Sequence, residues 1–182
     1  PVSSAFVGAA FVALGAAAAL SGVIVVALGL AGQRPGWWRE ARILVWFMSA
    51  MSVAAIVWME YALITRDFTI RFVAEHGSHQ TPAVFNVATL WSALEGSILL
   101  WTAVLCGYVV AVVAKFHSRR DEPLLAWAVL TLFVVSAFFF LLMVGPSNPF
   151  QSFDPPSGYD GPGPNPLLQN HILMAFHPPV LY

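Results

Sequence analysis

The sequence predicts an all-α protein, a polytopic transmembrane helix bundle with its N-terminus outside, and two features of composition carry that prediction. Of 182 residues, 59% are apolar and only 9% are charged, whereas soluble domains carry about 25% charged residues. No charged residue lies within 1–33 or 123–153, and such long apolar runs are typical of membrane spans. A soluble enzyme and a disordered chain are therefore excluded. The single Cys106 excludes a disulfide scaffold. A net charge of −1 provides no basic surface for phosphate, which excludes a nucleic-acid-binding protein.

Four full spans are expected, at about residues 4–32, 43–65, 87–114 and 123–144, and a truncated fifth starts at about residue 171. A helix crosses the bilayer core with about 20 residues, and each of the four runs is long enough. Helices are expected because membrane β-strands alternate apolar and polar residues over about 10 residues. The first run has no basic leader and is too long for a cleavable signal peptide. Because the chain stops within the fifth run, we expect further sequence, on this polypeptide or on another.

Basic residues in the short loops predict the orientation of the spans. Six of the eight fall on one side of the predicted membrane, namely Arg34, Arg39, Arg42, Lys115, Arg119 and Arg120. That side is expected to be cytoplasmic, so the N-terminus and the loops at 66–86 and 145–170 are expected outside. The 145–170 loop is rich in proline and glycine, which excludes a helix or a central strand. Its aromatic residues, Phe150, Phe153 and Tyr159, favour packing onto a neighbouring surface.

Five histidines are candidate ligands for a metal or for haem iron. His117 lies among the basic residues of the third loop, where a solvated side chain is expected. His76 and His79 have a spacing that holds a metal on a helix. Gly77 and Ser78 between them favour a loop instead, so we expect no metal there.

His177 differs from these because Pro178 and Pro179 follow it. Proline fits the first turn of a helix and holds the residue before it in an extended conformation. His177 is therefore expected at the outer surface, at the start of a helix that enters the membrane. The helix dipole disfavours the protonated ring there, and a neutral imidazole binds metal or haem iron. From these residues alone, ligand and structural roles stay equally open, while His171 is expected to be an interfacial polar residue.

Two carboxylates interrupt the apolar runs, and a carboxylate within a membrane is by default a functional-site hypothesis. Glu60 lies near the outer end of the second span and can simply reach the interface. Glu95 lies in the third span, where Ala88, Ser92 and Gly96 recur every four residues, a spacing that permits close helix contact. We expect Glu95 to pair with a basic residue of a later span, with a direct functional role as the alternative.

Four sequence blocks resemble the front part of the CcmF/NrfE-type cytochrome c haem lyases of cytochrome c maturation. They are DFTIRFV at 67–73, LWSALEGSILLW at 90–101, SNPF at 147–150 and NPLLQNHILMAFHPPVLY at 165–182. Each block is short, but the four follow one another in the family's order. The resemblance therefore covers nearly the whole chain.

The resemblance implies a protein that accepts haem from a haem chaperone and ligates it to apocytochrome c, together with other cytochrome c maturation subunits. It implies that His177 is an extracytoplasmic axial ligand of haem iron, with motif support from Pro178, Pro179, Asn165 and Gln169. Haem of the b type is then the substrate and, as an option left open, a bound cofactor. The expected location is the plasma (inner) membrane, in contact with lipid, with the haem site facing the periplasm.

The family's Trp-rich haem-handling segment and its further haem-ligating histidines do not occur in these 182 residues. The chain is therefore expected to be the N-terminal portion or a subunit of such a lyase and not complete by itself. The alternative is a non-catalytic structural or ion-translocating subunit of a larger membrane complex. In that alternative, Glu60 and Glu95 lie in a proton or ion path.

Overall fold

A computed structural model describes residues 3–164 together with Leu173 and Val180. Its helices are α1 (Ser4–Leu30), α2 (Trp37–Thr65), α3 (Arg71–His76), α4 (Ala83–Thr89), α5 (Leu94–Lys115) and α6 (Pro123–Val144). Four of them, α1, α2, α5 and α6, are long and apolar enough to cross a membrane. The expected all-α membrane architecture is confirmed.

The four long helices form a closed ring, in which α1 packs against α2 and α6 and α5 lies between those two. Since successive long helices run in opposite directions, the bundle has two ends. We call one end the N-terminal face; it carries the start of α1, residues 66–93 and residues 145–164. We call the other the Arg-rich face; it carries residues 31–42 and 115–122.

A stripe of glycines on α1 sets how closely its neighbours approach. Glycine recurs every seven residues, at Gly8, Gly15, Gly22 and Gly29, and seven residues are close to two helical turns. A Cβ at Gly15 would overlap the ring of Phe140, and a Cβ at Gly22 would overlap the ring of Phe133. Both rings belong to α6 and are fully buried. The close contact between α1 and α6 therefore depends on aromatic rings that lie directly on glycine.

The third span differs from the prediction of one continuous run over 87–114. The chain leaves α4 at Thr89, turns, and begins α5 only at Leu94. The hydroxyl of Ser92 donates to the Thr89 carbonyl at 2.9 Å, and such local side-chain bonds compete with a continuing helix. The membrane-spanning part of this segment is therefore α5 alone.

Ala88, Ser92 and Gly96 consequently do not form one helix face, and that prediction was wrong. Gly96 is needed for another reason, because a Cβ there would overlap the backbone carbonyl of Leu90. The small residue lets the first turn of α5 fold back onto the preceding turn of the chain. The Ser97 hydroxyl stabilises the same junction by donating to the Trp91 carbonyl at 3.0 Å.

Candidate functional site

Charge is distributed unequally between the two ends of the bundle. The N-terminal face, taken together with the adjoining helix turns that hold Glu60 and Glu95, has two basic residues, Arg66 and Arg71, against six acidic ones, Glu60, Asp67, Glu75, Glu95, Asp154 and Asp160. The Arg-rich face has six basic residues against three acidic ones, Glu40, Asp121 and Glu122. The N-terminal face, which also carries the loops, is therefore the acidic end of the molecule.

The proline-rich segment 145–164 is anchored to the bundle by its aromatic residues. Phe150 is only 2% exposed, and its ring lies directly on Gly8 of α1. The Tyr159 hydroxyl donates to the Ala74 carbonyl of α3 at 3.0 Å, and the rings of Tyr159 and Phe153 are 5.5 Å apart. The segment thus packs against α1 and α3, as its aromatic composition had favoured.

A short antiparallel pairing joins the segment after α2 to the same loop. Ile70 and Ser152 form an isolated bridge. The Arg71 backbone amide donates to the Gln151 carbonyl at 2.8 Å, and the Phe153 amide donates to the Thr69 carbonyl at 2.8 Å. Two stretches more than 80 residues apart in sequence are thereby held side by side on the N-terminal face.

Asp67, the first residue of the DFTIRFV block, orders the turn that leads into this pairing. Its carboxylate accepts from the Thr69 hydroxyl at 2.6 Å and from the Thr69 amide at 3.1 Å. Burial raises the pKa of Asp67, but hydrogen bonds from Ser4 and Thr69 outweigh it and bring the pKa below its ordinary value. The carboxylate is therefore held in its charged form at the start of the site.

A second tether joins the loop to the turn after α3. The Asp160 carboxylate accepts from the His79 backbone amide at 2.9 Å and lies 3.1 Å from Nδ1 of the same residue. The backbone hydrogen bond from His79 lowers the pKa of Asp160 below its ordinary value, and the contacts with the His79 ring and the Ser78 hydroxyl act in the same direction. Close by, the Gly163 amide donates to the Gly77 carbonyl at 3.2 Å. The loop therefore stays on the N-terminal face up to residue 164.

Glu95 lies in the first turn of α5, at the edge of the bundle. It lines a cavity of about 180 Å³ together with Arg71, Glu75, Gln151 and the end of α6. Arg71 donates to Glu75 at 2.6 Å and to the Gln151 side chain at 2.9 Å, and the charge of Glu95 also acts on Arg71. Among the described residues, the basic side chain that lines the cavity with Glu95 is Arg71, which precedes it in sequence; the pairing of Glu95 with a basic residue of a later span stays a prediction.

Glu60 lies on α2, one and a half turns before the helix ends at Thr65. Its side chain is neither fully buried nor fully exposed. One of its carboxylate oxygens is buried and has no hydrogen-bond partner among the described residues. An unsatisfied buried oxygen of this kind is costly, so Glu60 is the more unusual of the two intramembrane carboxylates.

Each of the three described histidines has a partner within the fold. Nδ1 of His76 lies 3.0 Å from the Phe72 carbonyl, and His79 contacts Asp160. His117 differs from the solvated residue we expected, because it accepts a hydrogen bond from Nε1 of buried Trp38 at 3.0 Å and stacks against that ring. Within the part of the chain that the structure describes, no group of three or more His, Cys, Asp or Glu residues could hold a metal.

The residues predicted to bind haem fall beyond this part of the chain. His177, Pro178, Pro179, Asn165 and Gln169 all lie outside the described residues, and so does His171. Of the four blocks that carry the family resemblance, the first three are described. The structure brings the first, the third and the start of the second to the N-terminal face, and the rest of the second block continues into α5.

The cavity beside Glu95 does not by itself form a haem site. The cavity beside Glu95 measures about 180 Å³, whereas pockets for ligands of drug size measure about 300–1,000 Å³. None of His76, His79 and His117 lines that cavity. This cavity is therefore too small for haem and offers no histidine ligand from the described residues.

Two features of the site were missed by the sequence reasoning, although the sequence holds a signal for each. The seven-residue glycine repeat that seats Phe150 and Phe140 is visible in the sequence of α1. The four-residue spacing of Arg71 and Glu75 is typical of an ion pair on a helix. Nothing in the sequence indicated that the Gln151 side chain would also accept a hydrogen bond from Arg71.

Comparison with known proteins identifies relatives of this chain. The cytochrome c-type biogenesis protein CcmF of Escherichia coli (strain K12) is 34% identical to it, over 89% of this chain and 27% of that protein. The cytochrome c-type biogenesis protein NrfE of Haemophilus influenzae is 31% identical, over 93% of this chain and 26% of that protein. No protein-family model matches the chain.

A solved structure of the cytochrome c heme lyase CcmF has the same fold. It matches with a TM-score of 0.81 and 31% identity, over 100% of this chain and 28% of that chain. The chain thus spans about a quarter of the length of the relatives it matches. By sequence and by fold, the chain belongs to the CcmF/NrfE-type cytochrome c biogenesis proteins, of which it matches the N-terminal part.

Proposed function

We propose that this chain is the N-terminal portion or a subunit of a haem lyase that accepts haem from a haem chaperone and ligates it to apocytochrome c. The observation that carries the proposal is the match to the cytochrome c heme lyase CcmF, at a TM-score of 0.81 over 100% of this chain. Other cytochrome c maturation subunits are its proposed partners, and haem is its proposed substrate.

In this proposal His177 is the axial ligand of the haem iron, and its ring is oriented by Pro178 and Pro179. The position of residue 164 supports this assignment, because the loop is tethered to the N-terminal face through Gly163 and Asp160. The Asn165–Gln169 part of the motif follows directly from that face. Proline after His177 restricts its backbone, so less conformational entropy is lost when the ring binds iron.

The N-terminal face is proposed to be extracytoplasmic, in a plasma (inner) membrane. The support is the excess of basic residues at the opposite end, six against three acidic ones, because cytoplasmic loops are enriched in Lys and Arg. In this proposal the described loops and the Glu95 cavity lie on the same side of the membrane as His177. It is the side on which haem is delivered and apocytochrome c is bound in this proposal.

The contribution of the protein is to hold and orient haem, since the vinyl groups and the cysteine thiols supply the bond-forming chemistry themselves. The bundle provides a rigid support for this task. Phe150 on Gly8 and the Ile70–Ser152 pairing fix the loop that precedes the ligand. A ligand held on a fixed segment is positioned more accurately than one on a free loop.

The ion-translocating alternative is supported by one observation, the unpartnered carboxylate oxygen of Glu60. In that case Glu60→Gln would abolish transport, whereas His177→Ala would have no specific effect. Under the haem lyase proposal, Glu60→Gln leaves cytochrome c production largely intact.

The test compares His177→Ala with His171→Ala in the complete protein or complex, in cells that make a c-type cytochrome. Covalently bound haem is measured by peroxidase staining, and membrane insertion is measured by immunoblotting. We expect His177→Ala to abolish the haem signal at a normal protein level, while His171→Ala retains it. A normal cytochrome c yield in the His177→Ala variant would refute the assignment.

A further inference from the structure

At the Arg-rich face, α5 and α6 are separated by an open groove of about 270 Å³. Apolar side chains form its walls, namely Val112, Phe116, Leu124, Leu125 and Ala128. Only Arg119 and Glu122 among its lining residues are charged. The groove therefore has an apolar body, and its polar groups are gathered at one end.

That end lies where the two candidate membrane spans α5 and α6 end and begin. Lys115 is the last residue of α5, and Pro123 is the first residue of α6, so Arg119 lies in the connection outside the apolar spans. Trp127, one turn into α6, is 58% exposed, and exposed tryptophan is typical of the membrane interface. The charged end of the groove thus faces lipid headgroups, and its apolar body faces acyl chains.

One cation, Arg119, lines the groove, and a second, Lys115, lies on the Phe116 ring that forms part of its wall. The Lys115 ammonium lies 5.7 Å from the centre of the Phe116 ring, and the Arg119 guanidinium lies 6.0 Å from it, on the same ring. Arg119 is 3.9 Å from Glu122 in an exposed pair, a geometry that contributes little. Lys115 has no ion pair among the described residues.

We propose that this groove binds one phospholipid with an anionic headgroup. The headgroup phosphate lies between Lys115 and Arg119, and one acyl chain occupies the apolar groove beside Leu124 and Ala128. Charge complementarity selects the anionic headgroup, since Lys115 and Arg119 both lie within 6.0 Å of the Phe116 ring that lines the groove, against the one lining carboxylate, Glu122. Lipid is chosen over a free phosphate because the apolar body of the groove gives inorganic phosphate no contacts. This inference is independent of the proposed haem function.

The test uses the complete protein reconstituted in bilayers of equal phosphatidylglycerol and phosphatidylcholine, then extracted in mild detergent for native mass spectrometry. We expect the wild-type protein to retain phosphatidylglycerol in preference to phosphatidylcholine. Lys115→Gln with Arg119→Gln should lower that preference by about fivefold for each cation removed. Arg39→Gln with Arg42→Gln is the matched control, since it removes the same charge from two exposed positions on the same face.

A third variant changes the shape of the groove and leaves its charge intact. Ala128 is exposed, so Ala128→Phe is expected to fold, fill the groove and lower phosphatidylglycerol retention. Equal retention of both lipids by the wild type would overturn the proposal. An equal loss in the Arg39/Arg42 control would also overturn it, because binding would then reflect only the general charge of the face.

Photo-crosslinking distinguishes lipid from a competing occupant. Leu124 is 77% exposed at the groove, so a photoreactive residue at this position will label whatever lies in it. A protein adduct with the mass of phosphatidylglycerol supports the proposal. A cross-link to another polypeptide segment would contradict it. Retention of inorganic phosphate alone in the native mass spectra would also contradict it.

Discussion

The contact between the glycines of α1 and the aromatic rings of α6 leads to a quantitative prediction. Gly15→Ala adds one Cβ where three atoms of the Phe140 ring would lie within 3.0 Å of it. Phe140 is fully buried, so its ring cannot turn away into lipid or water. Overpacking of this kind costs about 1–3 kcal/mol, and alanine recovers up to about 1 kcal/mol in helix propensity. We therefore expect a net destabilisation of about 1–2 kcal/mol.

Gly107→Ala is the matched control for this prediction. Gly107 also lies within a membrane-spanning helix, but a Cβ there would meet no heavy atom within 4 Å. Only the propensity gain applies, so the control should be stabilised by up to about 1 kcal/mol. The difference between the two variants isolates the overpacking contribution of Phe140.

The assay is thermal unfolding of the purified protein in detergent, followed by tryptophan fluorescence and by recovery of the monodisperse peak after heating. At about 2–4 °C per kcal/mol for a chain of this size, Gly15→Ala should lower Tm by about 2–8 °C. Phe140→Leu in the Gly15→Ala background should recover part of the loss, because contacting residues couple. If Gly15→Ala instead raised Tm as Gly107→Ala does, the proposed contact between α1 and α6 would be wrong.

Three further predictions concern the loops and the Arg-rich face. Phe150→Ala should cost about 3–5 kcal/mol and open residues 145–164 to limited proteolysis; unchanged digestion would mean that the ring does not anchor the loop. Because the pKa of Asp160 lies below its ordinary value of 3.8, its tether should be complete above about that pH and be lost as the pH falls through the folded pKa. The check is hydrogen-exchange protection of the His79 amide, which should fall over that range in the wild type and stay low at every pH in Asp160→Ala. Trp38→Phe should cost about 0.5–1.5 kcal/mol by removing the hydrogen bond to His117, and an unchanged Tm would show that this bond contributes nothing.

The fold class was predictable because the membrane imposes it. Apolar runs without charge have to be helices when they cross a bilayer, so α1 and α6 could be located from composition alone. The break before α5 was not predictable in the same way. Residues 87–93 are as apolar as a span, and what ends the helix there is the hydroxyl of Ser92 and the approach of Gly96 to Leu90, which are contacts in three dimensions.

The candidate site was predictable only in part, for a related reason. The sequence singled out Glu95 as a residue in need of a partner, but the position of Arg71 beside it depends on the pairing of α3 with the 145–164 loop. Likewise, the environment of His117 depends on Trp38, 79 residues away. Contacts between distant segments have no periodic signal in the sequence, whereas the i, i+4 pair of Arg71 and Glu75 does.

The proposed role of His177 as a ligand of haem iron is tested most directly by a change of ligand. His177→Cys and His171→Cys are compared in the complete haem-loaded protein by absorption and resonance Raman spectroscopy. The identity of the axial ligand sets the electronic state of haem iron, so His177→Cys should shift the Soret band or lose it, while His171→Cys leaves it unchanged. A Soret band and Raman spectrum unaltered in His177→Cys would contradict the account.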